Sequence, residues 1–235
     1  QEFIDYGYKK VTIWLQRNEG FAINKKKVYR LMKQKKWLSN RMHRDRSGKV
    51  FSKELLQKSS RPLEALQTDL KYIYIAGEHR NAMLISILDV HSRAVLGYYL
   101  GWSIRNEQVQ QVLGQVMARY QLAEKVTLRT DNGSQFEAKD LREFLAEMKI
   151  DQEFTHVASP EQNCYIESYH SIIEREVSNK YEFGSLAEAD KVISRYLDFY
   201  NRERIHSGIA YRSPNEVLQE SDIELYSFVS AKPAA

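Results

Sequence analysis

The sequence predicts an α/β fold: a mixed five-stranded sheet flanked by helices and preceded by a small helical segment. Three observations carry this reading. Residues 65–76, 81–90 and 94–101 are rich in the β-branched and aromatic residues that strands favour. The gaps between them, 77–80 and 91–93, are hairpin-sized, so the three strands are expected as antiparallel neighbours. Beyond residue 101 the apolar period switches to that of helices interleaved with two further short strands, the pattern of helix-linked strands in one sheet.

Along the chain, residues 7–36 read as two short helices. Val11, Trp14 and Leu15 mark one apolar face, Val28, Leu31 and Met32 the next, with Gly20 as the turn and Asn24 as an N-cap. Lys25, Lys26 and Lys27 then sit at a helix start, where the dipole disfavours cations, which points to an external anion such as phosphate. A helical hairpin of this kind fits either a helix-turn-helix or a purely structural element. Residues 38–62 lack periodicity and read as a basic linker, with a short helix near 53–58. After the three strands, Val109, Val112, Leu113, Val116, Met117 and Tyr120 form one helical stripe. A fourth strand follows at 125–130, a second core helix over Leu141, Phe144, Leu145 and Met148, and a fifth strand at 150–157. Further helices are expected at 165–179 and 186–200. This β-β-β-α-β-α-β-α order is that of the ribonuclease H-like fold. The expected organisation is a helical segment at 1–37, the linker at 38–62, a ribonuclease H-like core at 63–183 and a C-terminal helical extension at 184–235.

The composition excludes several classes. The 235 residues are 43% hydrophobic and 28% charged, with 10 Gly and 4 Pro, which is neither collagen nor a disordered chain. Uncharged runs such as residues 94–104 fall short of the roughly 20 residues that cross a bilayer, so no membrane span is expected. The one cysteine, Cys164, forms no disulfide framework or cysteine-pair zinc site and reads as a small packed side chain; a reducing, cytoplasmic setting fits. Gln1 in place of Met suggests a fragment. The net charge of +4 hides an asymmetry. Residues 1–62 hold 17 Lys/Arg and 5 Asp/Glu, whereas the remainder holds 18 and 26. A basic front end on an acidic body suits a phosphate-binding arm, although a solvated basic surface has the same composition.

Three carboxylates stand out by position. Asp69 lies inside the first strand, where burial is costly unless the group is paired or binds a metal. Asp131 ends the fourth strand before a glycine turn, the place where sheets present ligands. Glu167 sits near the start of the helix at 165–179. In this element order the first and fourth strands are adjacent and that helix crosses them, so the three can converge. Taken singly, Asp69 also fits a solvating charge on an edge strand, Asp131 a turn residue, and Glu167 a solvated helix residue; the joint placement favours a site. Converging carboxylates suit a hard cation, Mg²⁺ or Mn²⁺, and two such ions about 3.5–4 Å apart serve phosphoryl transfer.

The motifs around these acids resemble those of insertion-sequence transposases of the DDE integrase superfamily, in particular the OrfB-type, copy-out–paste-in branch related to retroviral integrases. The stretches concerned are Thr68-Asp69, Leu88-Asp89-Val90-His91-Ser92-Arg93, Asp131-Asn132-Gly133-Ser134-Gln135-Phe136, Ser159-Pro160-Glu161-Gln162-Asn163, Tyr200-Asn201-Arg202-Glu203-Arg204-Ile205-His206-Ser207 and Ser213-Pro214. Thirty-five residues separate Asp131 from Glu167, and the resemblance spans roughly residues 60–218. It implies a polynucleotidyl transferase that cleaves DNA with water and then joins the freed 3′-hydroxyl to another phosphodiester. It further implies Asp69, Asp131 and Glu167 as catalytic metal ligands, double-stranded DNA (element ends and target) as partner, and at least a dimer when two ends are held. The bacterial cytoplasm, at the nucleoid when DNA-bound, is the expected location, and the main end-recognition domain is expected ahead of Gln1. The zinc-binding pairs of retroviral integrase N-termini are absent.

The family often carries a cation seven residues after the catalytic Glu; here Glu174 stands there, with Arg175 next as a less direct backbone contact. Gln135, Asn163, Tyr165 and His170 are substrate candidates by their place in the motifs. His156 either contacts a phosphate or ends the fifth strand. Arg41, Arg44 and Arg46 of the linker are further DNA candidates. Arg204 and His206 either bind DNA or hold the last helices. Gly133 is expected in a left-handed turn, and Asp89 with Arg93 as a hairpin ion pair. Two rivals remain: a metal-dependent nuclease of the same fold, and a catalytically dead DNA-binding relic.

Overall fold

The computed structural model describes residues 5–38, 57–155 and 160–228. The expectations for Arg41, Arg44, Arg46, His156 and most of the linker fall outside these residues. Two helices open the chain, α1 (Tyr8–Asn18) and α2 (Lys25–Gln34). Asn24 caps α2 as expected, its side chain accepting from the Lys27 N–H at 2.9 Å.

Three long strands then form an antiparallel meander: β1 (Ala65–Ile75), β2 (Arg80–Asp89) and β3 (Val95–Gly101). Helix α3 (Asn106–Arg119) leads to β4 (Val126–Thr130), which pairs in parallel with β1, and β5 (Ile150–Phe154) pairs in parallel with β4. The sheet order is β3-β2-β1-β4-β5, the mixed sheet that the sequence predicts.

Each face of the sheet carries its own core. On one face Leu66, Ile85, Ile87 and Leu128 pack against Val109, Val112 and Val116 of α3 and Leu141 and Leu145 of the helix after β4. Helix α3 approaches closely because position 97 is Gly: a Cβ there would lie 2.8 Å from a Val116 methyl. On the other face Ile73, Ile75, Ala82 and Leu84 meet α6 (Cys164–Ile173) and α7 (Leu186–Arg202) through Ile166, Tyr169, Ile173, Ile193 and Leu197. This apolar cluster runs across residue 183 without a break. Edge strand β3 is covered by Asn201, whose amide bonds both the N–H (2.9 Å) and the C=O (2.8 Å) of Val95.

The helix expected over Leu141, Phe144, Leu145 and Met148 is α5 (Lys139–Glu147); a short α4 (Ser134–Glu137) precedes it, with Ala138 extended between them and Gln152 of β5 donating at 2.9 Å to the Phe136 carbonyl. The helix expected at 165–179 changes winding at Ile173, and Glu174–Ser178 form a π-helical turn.

That turn directs Glu176 inward, where it meets Arg204. The two are 0% and 2% exposed and share hydrogen bonds of 2.8 and 2.9 Å, with the Tyr196 hydroxyl donating to Glu176 at 3.0 Å. Arg204 is therefore the buried partner of a carboxylate and is not on a DNA-facing surface. His206 is buried beside it, edge-on to the Tyr200 ring at 4.8 Å, and burial together with Arg204 holds its pKa well below the ordinary histidine value. The helical segment docks on the same region: Tyr6 accepts from the Ile205 N–H at 3.0 Å, Arg17 pairs with Glu216, and Asp5 pairs with Arg175 at 3.0 Å. Helix α8 (Pro214–Gln219), which carries Glu216, starts with a Ser213/Glu216 capping box.

Burial alone would raise the Glu176 pKa, but the Arg204 hydrogen bonds and charge outweigh it and hold the carboxyl below its ordinary value. Arg204→Leu is expected to cost about 3–5 kcal/mol in urea denaturation by stranding Glu176, and Glu176→Leu/Arg204→Leu to recover much of that loss. Because the folded pKa is depressed, the pair's contribution is complete above the ordinary glutamate range and is lost as pH falls below it.

Candidate active site

The site grows from the point where β1 and β4 part. They pair in parallel only at Ala65↔Thr127, Leu66↔Leu128 and Gln67↔Arg129. Continuing that register by two residues sets Asp69 against Asp131, at the carboxyl end of β4 where the sheet changes from antiparallel to parallel. Helix α6 crosses this opening and is fastened to both strands. Gln67 accepts from the Ile166 N–H at 3.0 Å, Arg129 donates to the Gln162 carbonyl at 2.9 Å, and Ser86 bonds the Tyr169 hydroxyl at 3.0 Å. Glu167, in the first turn of α6, thus comes over the strand that carries Asp69.

Asp69 is held at an energetic cost. Its side chain is 24% exposed and accepts from its neighbour's N–H, Leu70, at 2.8 Å. Burial first, and then the charges of Asp131 and Glu167, push its pKa up to about 6 against the lowering effect of the Leu70 bond. Asp131 accepts from the Gly133 N–H at 3.0 Å, an Asx turn that fixes the carboxylate at the strand end. Asp69 feels the charges of Asp131 and Glu167, yet among the described residues no three His, Cys, Asp or Glu side chains stand in a ready-made metal cage. The donor set nevertheless fits a hard divalent cation: all oxygen, mutually repelling, with one carboxyl that pays for its charge.

The other expected residues divide. His170, one turn beyond Glu167, places Nδ1 3.6 Å from an Asp69 oxygen, outside hydrogen-bond range. Burial, assisted by the Lys71 charge, drives its pKa down to about 3, so the ring is neutral. Asn163 is buried and donates to the Thr68 carbonyl at 3.4 Å. The buried Asn163 Oδ1 and His170 Nε2 have no hydrogen-bond partner among the described residues. Tyr165 stacks under the Arg93 guanidinium, 3.6 Å from its ring centre. Gln135 lies in α4 against Gly133, and Lys25, Lys26 and Lys27 are exposed at the start of α2.

Several expectations are corrected. Arg175 is held by Asp5 and Glu176, both at 3.0 Å, away from the carboxylates, because the π-helical turn swings it towards the helical segment. Arg204 and His206 are buried, as described above. Gly133 has φ −66°, so it is not left-handed; what it supplies is room, since a Cβ would lie 2.2 Å from the Gln135 amide. Asp89 does not pair with the Arg93 guanidinium; it is buried and accepts from the N–H groups of Leu63 (2.9 Å) and Ser92 (2.7 Å), while Arg93 bonds the Val90 carbonyl. Sequence reasoning missed Gln67, Arg129 and Lys71. The one available signal was a polar Gln between the apolar Leu66 and the strand acid.

Comparison with known proteins gives this geometry a family. The integrase core domain family matches residues 59–160, a second integrase core family matches 148–214, and an HTH-like domain matches 4–45. The transposase InsD of insertion element IS2 from Escherichia coli is 30% identical over 234 residues, covering 93% of this chain and 75% of that one. The transposase of IS904 from Lactococcus lactis is 26% identical, covering 90% and 86%. In fold, the chain is similar to one in the simian T-cell lymphotropic virus intasome structure (TM-score 0.61, 11% identity, covering 97% of this chain and 76% of that one). It is also similar to the catalytic core of BIV integrase (TM-score 0.50, 18% identity, 68% and 96%). The matching models are thus of the integrase core, and the similar curated proteins are insertion-sequence transposases. The chain belongs to the insertion-sequence transposases that carry it.

Because the folded pKa of Asp69 is raised, the native state holds the proton more tightly than the unfolded chain does, and stability falls as pH rises from about 4 to about 6. Without divalent metal, Asp69→Asn is therefore expected to stabilise the chain at pH 7, by up to about 3 kcal/mol, in chemical denaturation. The difference should vanish near pH 4.

Proposed function

We propose that this DNA transposase cuts and rejoins DNA at the cluster of Asp69, Asp131 and Glu167, which act together as ligands for two Mg²⁺ or Mn²⁺ ions. The observation that carries the reading is the Asp69 carboxyl, kept inside a strand with its pKa raised to about 6 and two more carboxylates close enough to raise it. Such an arrangement is costly in the bare chain and becomes favourable once positive charge enters. The ions, when bound, supply charge to activate an attacking oxygen and stabilise a leaving one.

The chain's own residues supply position. Asp69 is immobilised by β1, Asp131 by its Asx turn, and Glu167 by the clamps of Gln67 and Arg129 on the start of α6. Asn163 and His170 pack behind the acids, each with a buried polar atom that has no partner among the described residues. The basic helical segment, with Lys25, Lys26 and Lys27 exposed, contacts DNA through phosphates and so does not read sequence by itself. Holding two element ends requires at least two copies of the chain. No helix among the described residues is long and apolar enough to cross a membrane, and the bacterial cytoplasm is the proposed setting.

The test is to incubate the chain with end-labelled linear element DNA and Mg²⁺ or Mn²⁺ beside Asp131→Asn. Metal-dependent nicked and joined products are expected from the parent, with a drop of at least about a hundredfold in the variant. Nicked products alone would favour a nuclease. DNA binding with no products would favour a dead relic.

A further inference from the structure

Asp69 and Lys71 are two apart on β1 and so face the same side of the sheet, the side on which Ile73 and Ile75 meet α6. Glu167 and His170 of α6 and Glu174 at its C-cap, which keeps α-helical backbone angles, lie on one stripe at steps of three and four residues. Strand and stripe run in step. Two strand residues span roughly 7 Å and four helix residues about 6 Å, so His170 stands opposite Asp69 and Glu174 opposite Lys71. The contacts agree: His170 Nδ1 is 3.6 Å from Asp69, and Lys71 Nζ is 2.6 Å from Glu174. The Lys71 charge also reaches His170.

The pair is lopsided. The Lys71 side chain is 15% exposed, whereas Glu174 is 48% exposed. The lysine is thus the inner group, one strand repeat from the carboxylates, and the glutamate is an outer lid that water reaches. Other cations of the region are committed elsewhere: Arg129 to Glu153 at 2.9 Å, Arg175 to Asp5 at 3.0 Å and Arg204 to Glu176 at 2.8 Å. A cluster of three acids repels a DNA strand, and a cation at its rim is what offsets that repulsion.

We infer that Lys71 contacts a strand phosphate beside the carboxylate site, and that Glu174 occupies the place of that phosphate on Lys71 until DNA displaces it. The inference rests on the reading of Asp69, Asp131 and Glu167 as the DNA-processing site. Glu174 is then an internal competitor: it keeps Lys71 from pairing with the catalytic acids and yields to a stronger anion. An exposed carboxylate gives up such a pair at little cost.

The two members therefore affect DNA binding in opposite directions, and the effect of Glu174 depends on Lys71. Affinity for a labelled linear duplex is measured by fluorescence anisotropy in EDTA across a salt series, with thermal melting of each variant alongside. Lys71→Gln is expected to weaken binding about tenfold and to lower the slope of log affinity against log salt by about one. Lys71→Arg should retain most of the affinity. Glu174→Gln is expected to tighten binding about threefold, and Lys71→Gln/Glu174→Gln to bind like Lys71→Gln alone. The inference is overturned if both single variants melt lower with DNA affinity unchanged, or if Glu174→Gln tightens binding equally without Lys71, which would mean general repulsion. A parent chain that binds no DNA would sink the reading of the site itself, whereas a parent that binds while the variants do not differ sinks only this inference.

Discussion

The parallel pairing of β1 with β4 ends after three residue pairs, and the site depends on where it ends. One pair fewer would let the strands part before Asp69 and Asp131 came alongside. Several more would enclose both acids in the ladder, with no room for α6 to bring Glu167 over them. The stopping point is fixed from outside the pair. Gln67, the last paired residue of β1, spends its side chain on the Ile166 N–H, and its partner Arg129 spends its own on the Gln162 carbonyl. The last rung of the ladder is thus also the mooring of the helix. Both side chains satisfy backbone groups at the entry to α6, so the helix is anchored where the two strands part.

This division of labour explains what was legible in the sequence. Element type and order follow from apolar periodicity, and so did the sheet, because hairpin-sized gaps force neighbours and helix-linked strands run parallel. The acids were legible by position: one within a strand, one at a strand end, one at a helix start. The moorings were not. A glutamine that caps a distant N–H leaves no periodic mark, and Arg129 looks like any outward strand residue. In the sequence Arg204 stays open between DNA and the last helices for the same reason. It sits among polar residues after a long helix, and its partner Glu176 is 28 positions away, so nothing local distinguishes a buried guanidinium from a DNA contact. Gly133 misled in another way: glycine after Asp-Asn suggests a left-handed turn, but the requirement is space for Gln135.

The molecule carries its charges in two ways. Glu176 and Arg204 are paired and sealed, and they tie α7, the π-helical turn and the docked helical segment into one body. Asp69 and its companions are left in conflict. The closed pair offsets its burial with its own hydrogen bonds, whereas Asp69 carries the cost of its burial with its carboxyl pushed up. Lys71 and Glu174 lie between these extremes, paired but with one member open to water.

The change of winding at Ile173 bears on how relatives are compared with this chain. Up to that residue, helical positions map by the usual hundred degrees per residue. From Glu174 to Ser178 the bonds run i→i+5 and each residue turns less, so side chains drift around the axis relative to a relative with an uninterrupted α-helix. An alignment without gaps would match Arg175 or Glu176 with residues that point elsewhere. Transplanting a substitution across Ile173 by alignment column alone would therefore move it from one side of the helix to another, and superposition in three dimensions is the correct guide there.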